Sequence, residues 1–208
     1  FFLENNIIFG GGTRIALELD EFRESVDIDF LCPNKESFRA VRQVVTQRSL
    51  NDLVLSEFEY LRDIRSDRDA VRTIIGHEGG IVKLEFVSFA DYELKLAFDK
   101  TKFPVPFLPQ NTCFYTKLLA NCDRRFQEPL KDIFDILAMF KSWGAVPKRS
   151  IELAEEHYGK RVVVPNLVKA LEDVCANQTK YFVAAQSVKM KKSWASDQIG
   201  RASCRERV

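Results

Sequence analysis

The sequence predicts an α/β (α+β) fold, with a β-rich first half and a mostly helical second half. Three observations carry that expectation. The stretch Phe9–Leu31 (FGGGTRIALELDEFRESVDIDFL) sets Gly11, Gly12 and Thr13 ahead of a short helical pattern and follows it with an alternating strand. Ala70–Gly76 and Ile81–Phe89 flank His77–Gly80 (HEGG), which reads as a hairpin turn. Pro104, Pro106 and Pro109 punctuate Lys102–Pro109, and helical periodicity takes over beyond them.

Taken in order, Asn6–Phe9 (NIIF) is expected as a short buried strand ending at Gly10–Gly12. Thr13 is expected to cap the following helix, with Ile15, Ala16 and Leu19 as its buried stripe. In the second strand Ser25, Asp27, Asp29 and Leu31 share one face, and Val26, Ile28 and Phe30 the other. Pro33 ends it. Lys35–Leu50 reads as an amphipathic helix with Phe38, Val41, Val44 and Val45 inward. Glu59–Ser66 is charged and half-alternating, a strand. In the second hairpin arm Ile81, Lys83, Glu85, Val87 and Phe89 line one face, with Leu84 and Phe86 packed behind.

Cys113–Arg125 and Pro129–Trp143 read as helices, the second ended by Gly144 and Pro147. Ile133, Ile136, Leu137 and Phe140 form its apolar stripe, while Asp132 and Asp135 sit three apart on another face. Ser150–Tyr158 and Pro165–Val188 complete the helical part. The expected organisation is a core over 1–103, a helical region over 104–198, and a tail over 199–208. That tail (IGRASCRERV) resembles a translated sequencing adapter and is expected to pack against nothing.

The chemistry concentrates around Asp27 and Asp29. Two carboxylates on one strand face repel each other unless a cation lies between them, which suits Mg²⁺ and its hard oxygen ligands. The glycines supply a turn whose N–H groups, with the helix N-terminus behind them, can hold phosphates. Without the two aspartates they would be no more than a strand-to-helix turn. Glu85 stands amid IVKLEF, where an unpaired buried carboxylate is costly, and so reads as a third metal ligand. The alternative is an edge strand with Lys83 and Glu85 in solvent. For Asp132 and Asp135 the residues alone favour a solvated helix face. His77 and His157 have no partner at metal-ligand spacing and read as surface or turn residues. Lys189, Lys191 and Lys192 before Trp194 could touch an RNA backbone, although a frayed, solvated helix end is the simpler reading.

A GG[ST] turn, a short helix and a strand carrying DxD resemble the nucleotidyltransferase superfamily with the polymerase-β-type core. The fuller string GGTxxxL…RxSxDIDF is similar to its AbiEii/AbiGii toxin branch, carried here by Gly11, Gly12, Thr13, Arg23, Ser25, Asp27, Ile28, Asp29 and Phe30. Downstream, FYTKLLANCDRRFQEPLKDIFDI resembles the family's Lys on one helix and (K/R)DxxD on the next. Lys117, Asp132 and Asp135 match, with Arg124 or Arg125 at the arginine position.

The resemblance covers Phe9 to Phe140 and implies a mixed-sheet core with flanking helices, followed by the helical region. It implies Mg²⁺-dependent transfer of a nucleoside monophosphate from an NTP to a hydroxyl acceptor. Asp27, Asp29 and Glu85 would hold two Mg²⁺; Gly11, Gly12, Thr13 and Lys117 would bind nucleotide; Lys117 and Asp132 would join the carboxylates in catalysis. The implied role is the toxin of a toxin–antitoxin or phage-defence pair, with tRNA or another RNA as acceptor and a cognate antitoxin as protein partner. Two rivals remain open: a non-catalytic nucleotide- or partner-binding protein on this fold, and a transferase acting on a protein or small-molecule hydroxyl.

Composition narrows the classes. The 208 residues carry 31 basic and 30 acidic side chains. Without the tail, 31 less three Arg is 28 and 30 less one Glu is 29, a net charge of −1 that argues against a general nucleic-acid coat. The 17 Phe can furnish a sizeable core. No apolar run reaches the roughly 18 residues of a membrane span, and no signal peptide is visible. The cysteines form no CxxC pair, so a reducing cytoplasm is expected. Phe1 in place of an initiating methionine leads us to expect further residues before it.

Overall fold

The computed structural model of the chain describes residues 1–56, 58–77 and 80–201. It divides into two compact units, one of residues 1–14 and 26–109, the other of residues 15–25 and 110–208. The proline-rich linker therefore stays with the first unit, and the segment between the glycine turn and the aspartate strand belongs to the second.

The first unit is built on a mixed sheet. Its strands are β1 (Ile8–Gly10), β2 (Asp27–Cys32), β3 (Glu59–Tyr60), β4 (Arg65–Ser66), β5 (Ala70–His77) and β6 (Gly80–Ser88), in the order β1-β2-β6-β5-β3, with β4 also on β5. β2 runs parallel to β6 and antiparallel to β1, and β5 and β6 form the expected hairpin. The tip at 78–79 lies outside the described residues. β6 is thus an interior strand, which removes the edge-strand alternative for Glu85.

Alternation along β2 and β6 sends Phe30, Cys32, Leu84 and Phe86 to one side, where they join Phe9, Phe38, Val41 and Phe107 in the core. Phe30 and Phe86 stack with centroids 5.1 Å apart. The Phe9 N–H donates to Pro106 O at 2.7 Å and Leu108 N–H returns to Phe9 O at 3.0 Å, so the prolines' segment covers the free edge of β1.

Local chemistry shifted several boundaries. The helix α1 (Gly11–Glu18) begins two residues before Thr13, whose hydroxyl donates instead to the Asp27 carbonyl. The helix α2 (Lys35–Val44) has Asn34 as its N-cap but stops well short of Leu50. Val44, Val45 and Thr46 are β-branched and poor helix formers, and the Asn51 side chain takes the Val44 carbonyl at 2.6 Å. The single strand expected over Glu59–Ser66 is two short ones, because Ile64 between them turns into the core, 4% exposed.

The second unit is helical: α3 (Gln110–Arg124), α4 (Lys131–Trp143), α5 (Lys148–Tyr158), α6 (Val163–Ala176), α7 (Gln178–Ser187) and α8 (Lys192–Arg201). The expected Pro165–Val188 helix is broken at Asn177, whose side chain bonds back to Asp173. Leu137 and Phe140 are only half-buried, and α4 instead buries Phe134, Ala138 and Met139 beside Ile133 and Ile136.

The lysines before Trp194 do not end a frayed helix. Lys189 pairs with Glu24 at 2.6 Å, Lys191 with Asp20 at 2.9 Å, and Trp194 packs on Phe22. Nor does the whole of the expected tail pack against nothing: Ile199 is fully buried on α8, while residues 202–208 lie outside the described residues. Among the described residues no helix is long and apolar enough to cross a membrane.

Candidate functional site

Two sets of charged side chains stand out, each within one unit. The first lies on the sheet face opposite the phenylalanine core. Asp29 of β2 is the register partner of Glu85 on β6, and Asp27 that of Lys83. Glu85 in turn faces Arg72 on β5, and Arg72 faces Arg65 on β4. One rung across four strands therefore reads Arg65, Arg72, Glu85, Asp29, with neighbouring Cβ atoms about 5 Å apart.

The glycine turn is shaped around Asp29. A Cβ placed on Gly11 would stand 1.9 Å from Asp29 Oδ2 and 2.8 Å from its Cγ, and Gly11 has a φ of +69°. Only glycine tolerates both. The carboxylate thus lies against the first residue of α1, where N–H groups have no partner inside the helix and the helix dipole favours negative charge. The Thr13 hydroxyl, bound to the Asp27 carbonyl, ties the same turn to the start of β2.

Asp27, Asp29 and Glu85 share a face, yet their carboxylates do not gather at one point. Among the described residues no three His, Cys, Asp or Glu side chains form a metal-binding group. Glu85 is engaged elsewhere: Arg72 Nε donates to Oε1 and Lys83 Nζ reaches Oε2, both at 2.9 Å. As donors the three residues suit Mg²⁺, being hard oxygen ligands on one face. A cation held by Glu85 and the two aspartates would meet the positive charges of these two basic partners.

The second set is buried in the helical unit. Lys117 of α3 bridges Asp132 Oδ1 at 2.9 Å and Asp135 Oδ2 at 2.7 Å. Arg124 holds Asp132 through its Nε at 2.6 Å. Arg23 grips Asp135 with two bonds, Nε to Oδ1 at 2.7 Å and NH2 to Oδ2 at 2.9 Å. Asp135 is wholly buried and Asp132 only 6% exposed, so the solvated helix face expected from the residues alone is wrong. Their i,i+3 spacing instead points both acids at the same lysine.

Burial alone would lower the Lys117 pKa, but the two carboxylates outweigh it and push it up to about 12. Burial likewise opposes ionisation of Asp132, and Lys117 and Arg124 overcome it, holding that carboxyl well below its usual range. Both groups are permanently charged at neutral pH. Of the two arginines weighed for the family's arginine position, Arg124 contacts Asp132, whereas Arg125 bonds Asn166 at 2.6 Å.

Arg23 was not among the expected site residues. The signal was in the string RxSxDIDF, where an arginine precedes the aspartate strand, but nothing local shows that it pairs with a residue 112 positions away. His157 packs near the Tyr115 ring, centroids 6.3 Å apart. The His77 side chain lies outside the described part of the structure.

In crystal structures the same fold occurs in a candidate nucleotidyltransferase from H. pylori, 15% identical, with a TM-score of 0.56 over 95% of this chain and 84% of that one. It occurs also in JHP933 from Helicobacter pylori, 16% identical, with a TM-score of 0.55 over 95% and 82%. These likenesses establish the fold alone. No curated protein matches the sequence. The family model for the nucleotidyl transferase AbiEii toxin of type IV toxin–antitoxin systems matches residues 1–197, and with nearly the whole chain covered, this protein belongs to that family.

Proposed function

We propose that this protein moves a nucleoside monophosphate from an NTP to a hydroxyl acceptor, as the toxin of a toxin–antitoxin pair serving phage defence in the cytoplasm. The acceptor hydroxyl oxygen attacks the α-phosphorus and gives up its proton to water, the bond from that phosphorus to the α–β bridging oxygen breaks, and pyrophosphate leaves. The observation that carries this reading is the glycine turn. Gly11 has no side chain where Asp29 needs room, and the α1 N-terminus lies beside that carboxylate. A backbone cradle for phosphates and a pair of same-face carboxylates are thereby adjacent.

Asp27 and Asp29, with Glu85 once it changes partners, are the residues that would hold two Mg²⁺, which would supply charge neutralisation at the attacking and leaving oxygens. Gly11, Gly12 and Thr13 would present backbone N–H groups to the phosphates. Lys117 and Asp132 come to the reading through the family motif. Their fixed charges suit electrostatic and orienting work, not proton transfer near neutral pH. The tRNA 3′ end is the acceptor we favour, and a cognate antitoxin the protein partner.

Full-length protein incubated with each labelled NTP, Mg²⁺, and separate pools of total RNA and total protein tests this directly. Label in the tRNA fraction is expected. Label in protein instead would keep the chemistry and reject the acceptor. NTP and Mg²⁺ binding without any labelling would favour the binding-protein reading, for which the engagement of Glu85 by two cations is the structural argument.

A further inference from the structure

Glu85, the proposed third metal ligand, has a basic partner on each of its carboxylate oxygens. Arg72 reaches it from the neighbouring strand at its register position, and Lys83 from two residues earlier on its own strand. The carboxylate is 16% exposed, whereas Arg72 and Lys83 are 41% and 44% exposed. The acid is largely covered, and its two basic partners remain open to solvent. Arg72 is also pinned from the other side, its NH1 2.7 Å from Asp67 Oδ2. Asp67 in turn accepts the Asp69 and Ala70 N–H groups at 2.8 Å. Lys83 has a flexible four-carbon stem and is the more mobile of the two.

A divalent cation at Asp27 and Asp29 would compete with these two side chains for Glu85. By itself it would strand two positive charges beside a third. A polyphosphate arriving with it resolves that conflict, because its oxygens can take both the guanidinium and the ammonium.

We propose that Arg72 and Lys83 are triphosphate-binding side chains of this site, and that Glu85 holds them as a latch until cation and polyphosphate bind together. This inference rests on the reading above, in which the Asp27–Asp29 face takes a cation with an NTP. In the latched state the face is partly self-neutralised. In the open state Glu85 turns to the metal, and Arg72 and Lys83 turn to the phosphates.

Binding of Mn²⁺ alone and of inorganic tripolyphosphate with Mn²⁺, followed by calorimetry on the full chain, tests the latch without any need for turnover. Lys83→Gln and Arg72→Gln each remove a competitor for Glu85. Mn²⁺ alone should then bind roughly twofold to fivefold more tightly, and Mn²⁺–tripolyphosphate more weakly by at least as much. Glu85→Gln should do the reverse to Mn²⁺ alone. A merely structural role would move both affinities in one direction, or neither, and that result would overturn the latch. Should Arg72→Gln unfold through loss of its Asp67 contact, Lys83→Gln decides alone. If wild type binds Mn²⁺ and Mn²⁺–tripolyphosphate but the variants show no opposite shifts, only the latch fails. If wild type binds neither, the nucleotidyltransfer site falls with it.

Discussion

Gly11 and Asp29 set the strictest local requirement in this chain. Replacing Gly11 by Ala asks a Cβ to stand 1.9 Å from a carboxylate oxygen in a left-handed backbone conformation. We expect Gly11→Ala to cost roughly 2 kcal/mol or more in stability, read by denaturant titration, and to displace Asp29 enough to abolish transfer. Asp27→Asn and Asp29→Asn should behave differently. Each strips a carboxylate from the proposed metal site and should abolish transfer; the metal-free melting temperature should hold or rise in Asp27→Asn as same-face repulsion is relieved, and fall in Asp29→Asn, which gives up the charge held at the α1 N-terminus. Full transfer or full cellular toxicity in Asp27→Asn would sink the two-metal reading.

At the scale of elements, α4 is fastened to the rest of its unit by charge as well as by Ile133, Phe134 and Met139. Asp135→Ala would leave Arg23 and Lys117 buried with a shared partner gone, and should destabilise by about 3–5 kcal/mol. The pH dependence follows from the directions of the two shifts. Asp132 has its folded pKa depressed, so its contribution is present above the ordinary value of 3.8 and is lost as pH falls below it. Lys117 is raised from 10.5 to about 12, so its contribution is present below 10.5 and is lost as pH rises through about 12. Thermal melts between roughly pH 5 and 9 should therefore show no titration from Asp132 or Lys117. A pH–rate profile whose break in that window vanished in Lys117→Ala would show that the lysine loses its proton there after all.

At the scale of the molecule, the helical unit is not continuous in sequence. Residues 15–25 belong to it, bringing Phe22 against Trp194 and Arg23 against Asp135. A fragment beginning at residue 104 should accordingly melt lower than the intact chain, or fail to fold, because it leaves Asp135 without its bidentate arginine. Circular dichroism of that fragment, with and without an added 15–25 peptide, reads the effect. A truncation before Ile199 should also destabilise, by roughly 2 kcal/mol, since that side chain is fully buried.

Much of the fold was legible in the residues because its signals are local. Period-two alternation over Asp27–Phe30 and Ile81–Val87, the HEGG turn, and the apolar spacing of the long helices each depend on near neighbours. The glycines, the same-face aspartates and the motif joining Lys117 to Asp132 could be read in the same way, and with them the family. Pairing could not. That Glu85 would meet Arg72 and Lys83 depends on which strands adjoin β6, and that Arg23 would clasp Asp135 depends on chain segments 112 residues apart. Composition and spacing decide which faces a chain can bury, but the partner of a buried charge is chosen only when the tertiary structure brings distant elements together and unpaired desolvation becomes too costly.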